Sequence, residues 1–143
     1  MFIQLSAEIY KQMEVLFNAG FPNEECALLL GTPLINQSFH IHSLVPAKNI
    51  ASDPLHHFEL DPATWVHHLM TSPDLVGLFH THPSSAPLPS ATDLHALQSY
   101  GELIQIYLIA GFTLDSNTME LKAYEVTKQD RGFGLRPATL RMT

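Results

Sequence analysis

Two short apolar runs restrict the fold of this chain more than any other feature: Cys26-Ala-Leu-Leu-Leu-Gly31 and Leu75-Val-Gly-Leu-Phe-His-Thr-His82. A strand points successive side chains to opposite faces, so an unbroken apolar run implies burial on both sides. Helices must supply that cover. Ser6 can cap a first helix, because Ile9, Met13, Leu16 and Phe17 follow at the spacing of one buried face and Gly20 and Pro22 end it. Asp61-Pro62 reads as an N-cap with proline at the first helical position and predicts a helix to about Thr71. Ser90, with Asp93 three residues on, predicts a third helix reaching about Tyr100.

Residues 38–45 alternate as a strand, with Phe39, Ile41 and Val45 on one side and His40, His42 and Leu44 on the other. Leu103–Gly111 and Met119–Val126 supply two more strands, joined by a turn around Asp115-Ser-Asn117, and His57–Leu60 reads as a short one. Residues 46–57 and 83–89 are proline-bearing loops, and the tail 127–143 has no assignable pattern. Strands and helices alternate irregularly, which predicts an α/β fold with a mixed sheet and helices packed on it. A length of 143 residues fits one domain, 1–143.

Fourteen acidic residues against seven basic ones give a formal charge of −7. Such a surface repels phosphate backbones and anionic lipid, so nucleic acid and membranes are poor partners and a basic protein patch is a better one. The single cysteine, Cys26, excludes an intramolecular disulfide. The N-terminus lacks the basic and apolar regions of a signal peptide, and a cytoplasmic protein is expected.

Nine histidines prompt a search for metal ligands. On a strand, His80 and His82 share a face, and a proline-stiffened loop can return the chain so that Asp93 meets them from the first turn of a helix. Two imidazoles and a carboxylate fill three corners around Zn²⁺ and leave the fourth for water, the pattern of a catalytic site. Zinc lowers the pKa of water towards ~7, and a carboxylate outside the ligand set must then handle its proton. Glu24 and Glu25 both qualify. Ser90 can donate to a developing oxyanion or cap its helix.

Pro22-Asn-Glu24-Glu-Cys-Ala-Leu-Leu-Leu-Gly31, then His80-x-His82, seven residues, Ser90, two residues and Asp93, closely resembles the JAMM motif of the MPN-plus metalloproteases. Asn49 and Phe58-Glu-Leu-Asp-Pro62 resemble the prokaryotic members. The resemblance implies a cytidine-deaminase-like fold with three layers, α-β-α, over most of the chain to about residue 125. It selects Glu24 over Glu25 as general base, makes His80, His82 and Asp93 ligands of one Zn²⁺, and gives Ser90 the oxyanion. It further implies cleavage of a peptide or isopeptide bond after the C-terminal glycines of a ubiquitin-like or sulfur-carrier protein, in some relatives with release of a cysteine adduct. The tail of that partner would add a strand to a sheet edge, between walls formed by residues 46–58 and 83–89. Ala27 stands where bacterial members often carry glycine, a change that bears on packing.

Competing readings have specific marks. His40-x-His42 has no acidic residue at useful spacing, and His56-His57 and His67-His68 are adjacent, so their rings diverge. Cys26, inside an apolar run, reads as packing rather than a nucleophile. A non-catalytic MPN-type scaffold would have lost a ligand, and none is missing. A non-haem iron site shares the two-His-one-carboxylate set but not this ligand order. A nucleoside deaminase needs a Cys-x-x-Cys pair that the chain lacks.

Overall fold

The computed structural model describes residues 1–113, 115 and 118–143. In chain order the elements are β1 (Phe2–Leu5), α1 (Ala7–Gly20), β2 (Cys26–Pro33), a 3-10 turn (Ile35–Gln37), β3 (Phe39–Ala47), α2 (Pro62–Thr71), β4 (Leu75–His82), α3 (Ala91–Leu97), β5 (Ile106–Thr113), β6 (Thr118–Gln129) and β7 (Gly132–Met142). The strands lie in the order β1-β3-β2-β4-β5-β6-β7 and the ends meet. β1 closes the sheet because it pairs in parallel with β3 on one side and β7 on the other. The sheet is mixed, as expected: β4 and β5 are parallel, while β2 runs antiparallel to both β3 and β4. The layered sheet expected from the resemblance thus returns on itself through a four-residue strand.

The doubly buried runs divide two apolar cores between them. From β2, Ala27 and Leu29 face a core built with Ile9, Met13 and Phe17 of α1. Cys26 and Leu28 face a second core with Phe58, Leu60 and Leu97. β4 is split the same way, with Val76 and Phe79 towards α1 and Leu78 towards the second core. Each fully buried Leu or Phe contributes about 1.5–3 kcal/mol, so β2 and β4 are stabilised from both faces.

The helices start where their caps dictate. Ser6 Oγ accepts from the Ile9 N–H and Asp61 from the Ala63 N–H. β3 departs from the simple alternation. Its register with β2 shifts between Leu30 and Gly31, and the extra residue sends Leu44 to the α1 core and Val45 to the second core. Val45 therefore parts from Phe39 and Ile41, because a bulge reverses side-chain parity. The tail forms most of a long β6–β7 hairpin. Ser116 and Asn117 of the expected turn lie outside the described residues.

Candidate metal centre

β4 brings two imidazoles to one point: His80 Nε2 and His82 Nε2 lie 2.9 Å apart. α3 adds a carboxylate from its first turn. Asp93 Oδ1 is 3.2 Å from His80 Nε2, and Oδ2 is 3.0 Å from His82 Nε2. Ser90 sets this approach as N-cap, its Oγ accepting from the Asp93 N–H while Asp93 Oδ2 accepts from the Ser90 N–H. Glu24 arrives from the turn before β2, whose Cys26 pairs with His80. Its Oε1 is 4.0 Å from His80 Nε2. The ligating atoms of Glu24, His80, His82 and Asp93 all lie within 4.8 Å of one another, and all four residues are buried.

The arrangement could hold a metal ion. The Nδ1–H of His82 donates to the Ala86 carbonyl at 3.0 Å, so a neutral His82 turns its Nε2 lone pair towards the others. Two imidazole nitrogens and a carboxylate then converge within 3.2 Å, a donor set that could hold a cation and that, without one, shares protons between the imidazoles and Asp93. Ligands about 2.0–2.1 Å from a tetrahedral ion are roughly 3.3 Å apart, close to this spacing. The donor set therefore fits a divalent ion with an open corner towards Glu24, whose Oε1 has no hydrogen-bond partner.

Burial dominates the electrostatics. It pushes the Glu24 carboxyl up to about 7, with His82 and Asp93 nearby acting in opposite directions. His80, fully buried and stacked on Phe58 at 4.6 Å, is held below the usual imidazole range by desolvation, against the pull of Asp93. For Asp93 burial acts upward, but hydrogen bonds from His80 and His82 outweigh it and hold the group well below the carboxylate range. Burial likewise lowers His82, and its bonds to Asp93 and Ala86 outweigh that and raise it.

Glu24 is clamped through its backbone. Its N–H donates to Pro54 O at 2.7 Å, and its carbonyl accepts from Asn49 Nδ2 at 2.9 Å. The next N–H, of Glu25, donates to Thr81 Oγ1 at 2.8 Å, which uses the residue between the histidines as a tie. The Glu25 side chain instead lies over Gly20, so only Glu24 joins the cluster. Asn49 also donates to His57 O and accepts from the Ala51 and Glu59 N–H groups, filling all four hydrogen-bonding positions of its amide. That makes it the pin of the loop that follows β3.

Gly111 has an equal part on the other wall. A Cβ there would meet Pro87 N at 2.4 Å and Ser85 O at 2.6 Å. The loop after His82 can therefore press onto β5, where Phe112 N–H donates to Ser85 O. Ala86 O is thereby brought under His82. Asn49 stood out in the sequence only by its resemblance to the prokaryotic members, and Gly111 not at all, since each role depends on which distant backbone passes nearby.

A cleft of about 260 Å³ opens on the site. Leu55 and His56 line it from one expected wall, Pro83, Ser84 and Ser85 from the other, and Glu24, His82 and Ser90 from its floor and rim. A larger apolar groove of about 570 Å³ lies beyond Leu88 and Pro89, away from all four groups, and is not where the chemistry is. β4 is paired on both sides, so it offers no edge for strand addition. The remaining histidines stay apart from the cluster. His42 does have an acidic partner, Asp74 at 3.2 Å, brought from a distant turn that spacing along β3 does not reveal. Cys26 is buried, and desolvation pushes its thiol up to about 12.

Residues 6–125 match the family of prokaryotic homologues of the JAB domain, Prok-JAB. The chain belongs to that family. A stretch of 76 residues is 37% identical to the desampylase of Haloferax volcanii, covering 50% of this chain and 52% of that protein. The match thus spans about half the length of that curated relative. A solution structure of a Desulfitobacterium hafniense protein superposes with a TM-score of 0.70 at 20% identity, covering 99% of this chain and 94% of that one. A Salinibacter ruber protein follows with a TM-score of 0.62 at 24% identity over 96% and 90% of the two chains. These two likenesses concern the fold alone. Among the described residues of this Prok-JAB chain, no helix is long and apolar enough to cross a membrane.

Proposed function

We propose that the chain, read as one domain, is a zinc-dependent hydrolase. It cuts a peptide or isopeptide bond after the C-terminal glycines of a ubiquitin-like or sulfur-carrier protein. The observation that carries this is the convergence of His80, His82 and Asp93 beside a buried, unpartnered Glu24 carboxylate at the foot of a cleft. The Prok-JAB membership and the desampylase relative support the substrate class.

His80, His82 and Asp93 would hold the metal, which would supply a lowered pKa for water and polarisation of a carbonyl. Glu24, whose carboxyl burial raises in the metal-free fold, accepts a proton from the attacking water and passes it to the leaving amine. The carbonyl carbon gains a C–O bond, the C–N bond breaks, and one water is consumed. Ser90 does two things at once. Its oxygen accepts the cap bond from the Asp93 N–H, and its own O–H proton remains available to donate to the oxyanion at the cleft rim.

The test is cleavage of a Gly-Gly-ending ubiquitin-fold protein joined to a lysine peptide, read by intact mass. Zinc-loaded wild type releases the free protein, while Glu24→Gln with zinc bound releases none. Full zinc binding with no cleavage by wild type would favour a non-catalytic scaffold of the same fold.

A further inference from the structure

The two imidazoles of the cluster differ in what stands behind them. His82 Nδ1 faces the Ala86 carbonyl at 3.0 Å, an oxygen that only accepts. His80 also turns its Nε2 to the cluster, 2.9 Å from His82 Nε2 and 3.2 Å from Asp93 Oδ1, but its Nδ1 is buried without a hydrogen-bond partner. Among the described residues, the buried side-chain nitrogens and oxygens in that condition are Glu24 Oε1, His80 Nδ1 and the Tyr107 hydroxyl. Glu24 has its part in the reaction proposed above. The other two are neighbours.

The register of β4 and β5 makes them so. Leu78 stands opposite Tyr107 and His80 opposite Ile109, so His80 and Tyr107 are diagonal neighbours on one face of a parallel pair. Their rings meet edge to face, with centroids 5.4 Å apart and planes at 75°. His80 is 0% and Tyr107 1% exposed. Leu78, Ile109 and Phe58 belong to the same core as Tyr107, and Phe58 stacks on the imidazole. Phenylalanine would fill such a position without a polar atom. A buried tyrosine marks a hydroxyl with a partner, because an unpaired one carries the full penalty of leaving water.

We infer that the Tyr107 hydroxyl is the positioning partner of His80 Nδ1, joined to it directly or across one bound water. The inference rests on the metal site in the reading above and not on the reaction. A hydroxyl suits this place because it both donates and accepts. In the metal-free protein, Nε2–H of a neutral His80 donates to Asp93 Oδ1 and Nδ1 accepts from the Tyr107 side. With a divalent ion at Nε2, the ring proton sits on Nδ1 and is donated to that side instead. The ring stays neutral, one proton has changed nitrogen, and Tyr107 keeps its own. A carbonyl, as behind His82, would serve only the second state.

Tyr107→Phe removes the hydroxyl and keeps the ring. The measurements are zinc affinity by chelator competition and the nitrogen NMR shifts of His80 with and without zinc. Leu108→Val, on the same strand but facing the α1 core, controls for general loosening. Zinc affinity is expected to fall roughly tenfold or more in Tyr107→Phe and to stay within about twofold of wild type in Leu108→Val. The wild-type shifts should place the proton on Nε2 without zinc and on Nδ1 with it, and Tyr107→Phe should move the Nδ1 signal in both states. An unchanged affinity or an unchanged Nδ1 signal in Tyr107→Phe overturns the inference and leaves the hydrolase reading intact, as does an equal loss in Leu108→Val. A wild type that binds no zinc refutes the metal site itself, and the inference falls with it.

Discussion

Glu24→Gln should stabilise the metal-free protein as it abolishes activity, and the gain should grow with pH. In the fold, burial raises the Glu24 carboxyl from 4.5 to about 7. A group raised on folding contributes stability that is fully present below its unfolded value and is lost as pH rises through its folded one. The window is therefore pH 4.5 to 7, with stability falling as pH increases. At about 1.4 kcal/mol per pH unit, a difference of roughly 2.5 units is worth about 3 kcal/mol, of which about 2.5 kcal/mol falls between pH 5 and pH 8. Glutamine fills nearly the same space without a charge, so the variant does not share that loss. For a chain of this size, a gain of that order corresponds to a Tm higher than wild type by roughly 5–10 °C at pH 8, with little difference at pH 5. The assay is thermal unfolding of chelator-treated wild type and Glu24→Gln at both pH values. A stability difference independent of pH would mean that Glu24 ionises as freely as in water, and the poised-base argument would fail. With a divalent ion bound the difference shrinks, because the added positive charge favours the carboxylate.

Gly111→Ala places a methyl group on the backbone of residues 85–87 and lifts Ala86 O away from His82. Zinc affinity, measured by chelator competition, should fall roughly 10–100-fold, as for other losses of a ligand's hydrogen-bond partner; an unchanged affinity would show that the loop does not orient His82. Ser90→Ala removes both the cap and the oxyanion donor, so unfolding free energy should drop by about 1 kcal/mol and kcat by roughly 10²-fold or more. A loss of stability without a loss of kcat would leave Ser90 as a cap only.

The cluster of His80, His82 and Asp93 was legible because the chemistry proposed for it demands particular residue types at particular spacings. His80 and His82 had to share a face of one strand, and Asp93 had to begin a helix, whatever the rest of the fold did. The strands β2 and β4 were legible for a related reason, since their unbroken apolar runs admit burial on both faces and little else. β1 was not, because four residues give too little pattern and its role depends on partners at the far ends of the chain. β7 was hidden by Pro137 and by an apolar phase that changes from Phe133 and Leu135 to Ala138 and Leu140. The two readings of Ser90 are compatible because the cap bond uses only the acceptor capacity of the Ser90 oxygen. Gly111 was silent, and Asn49 was marked only by the resemblance and not by its role, because a pin and a close approach are properties of two segments, and only one of them is at the residue itself.

Anomalous scattering at the zinc edge from crystals of the protein tests most directly whether His80, His82 and Asp93 hold an ion beside Glu24. The account predicts a single strong peak about 2.0–2.2 Å from His80 Nε2, His82 Nε2 and an Asp93 oxygen, with Glu24 outside bonding distance. A zinc-supplied crystal with no peak there, or with its peak at His42 and Asp74 instead, would contradict it.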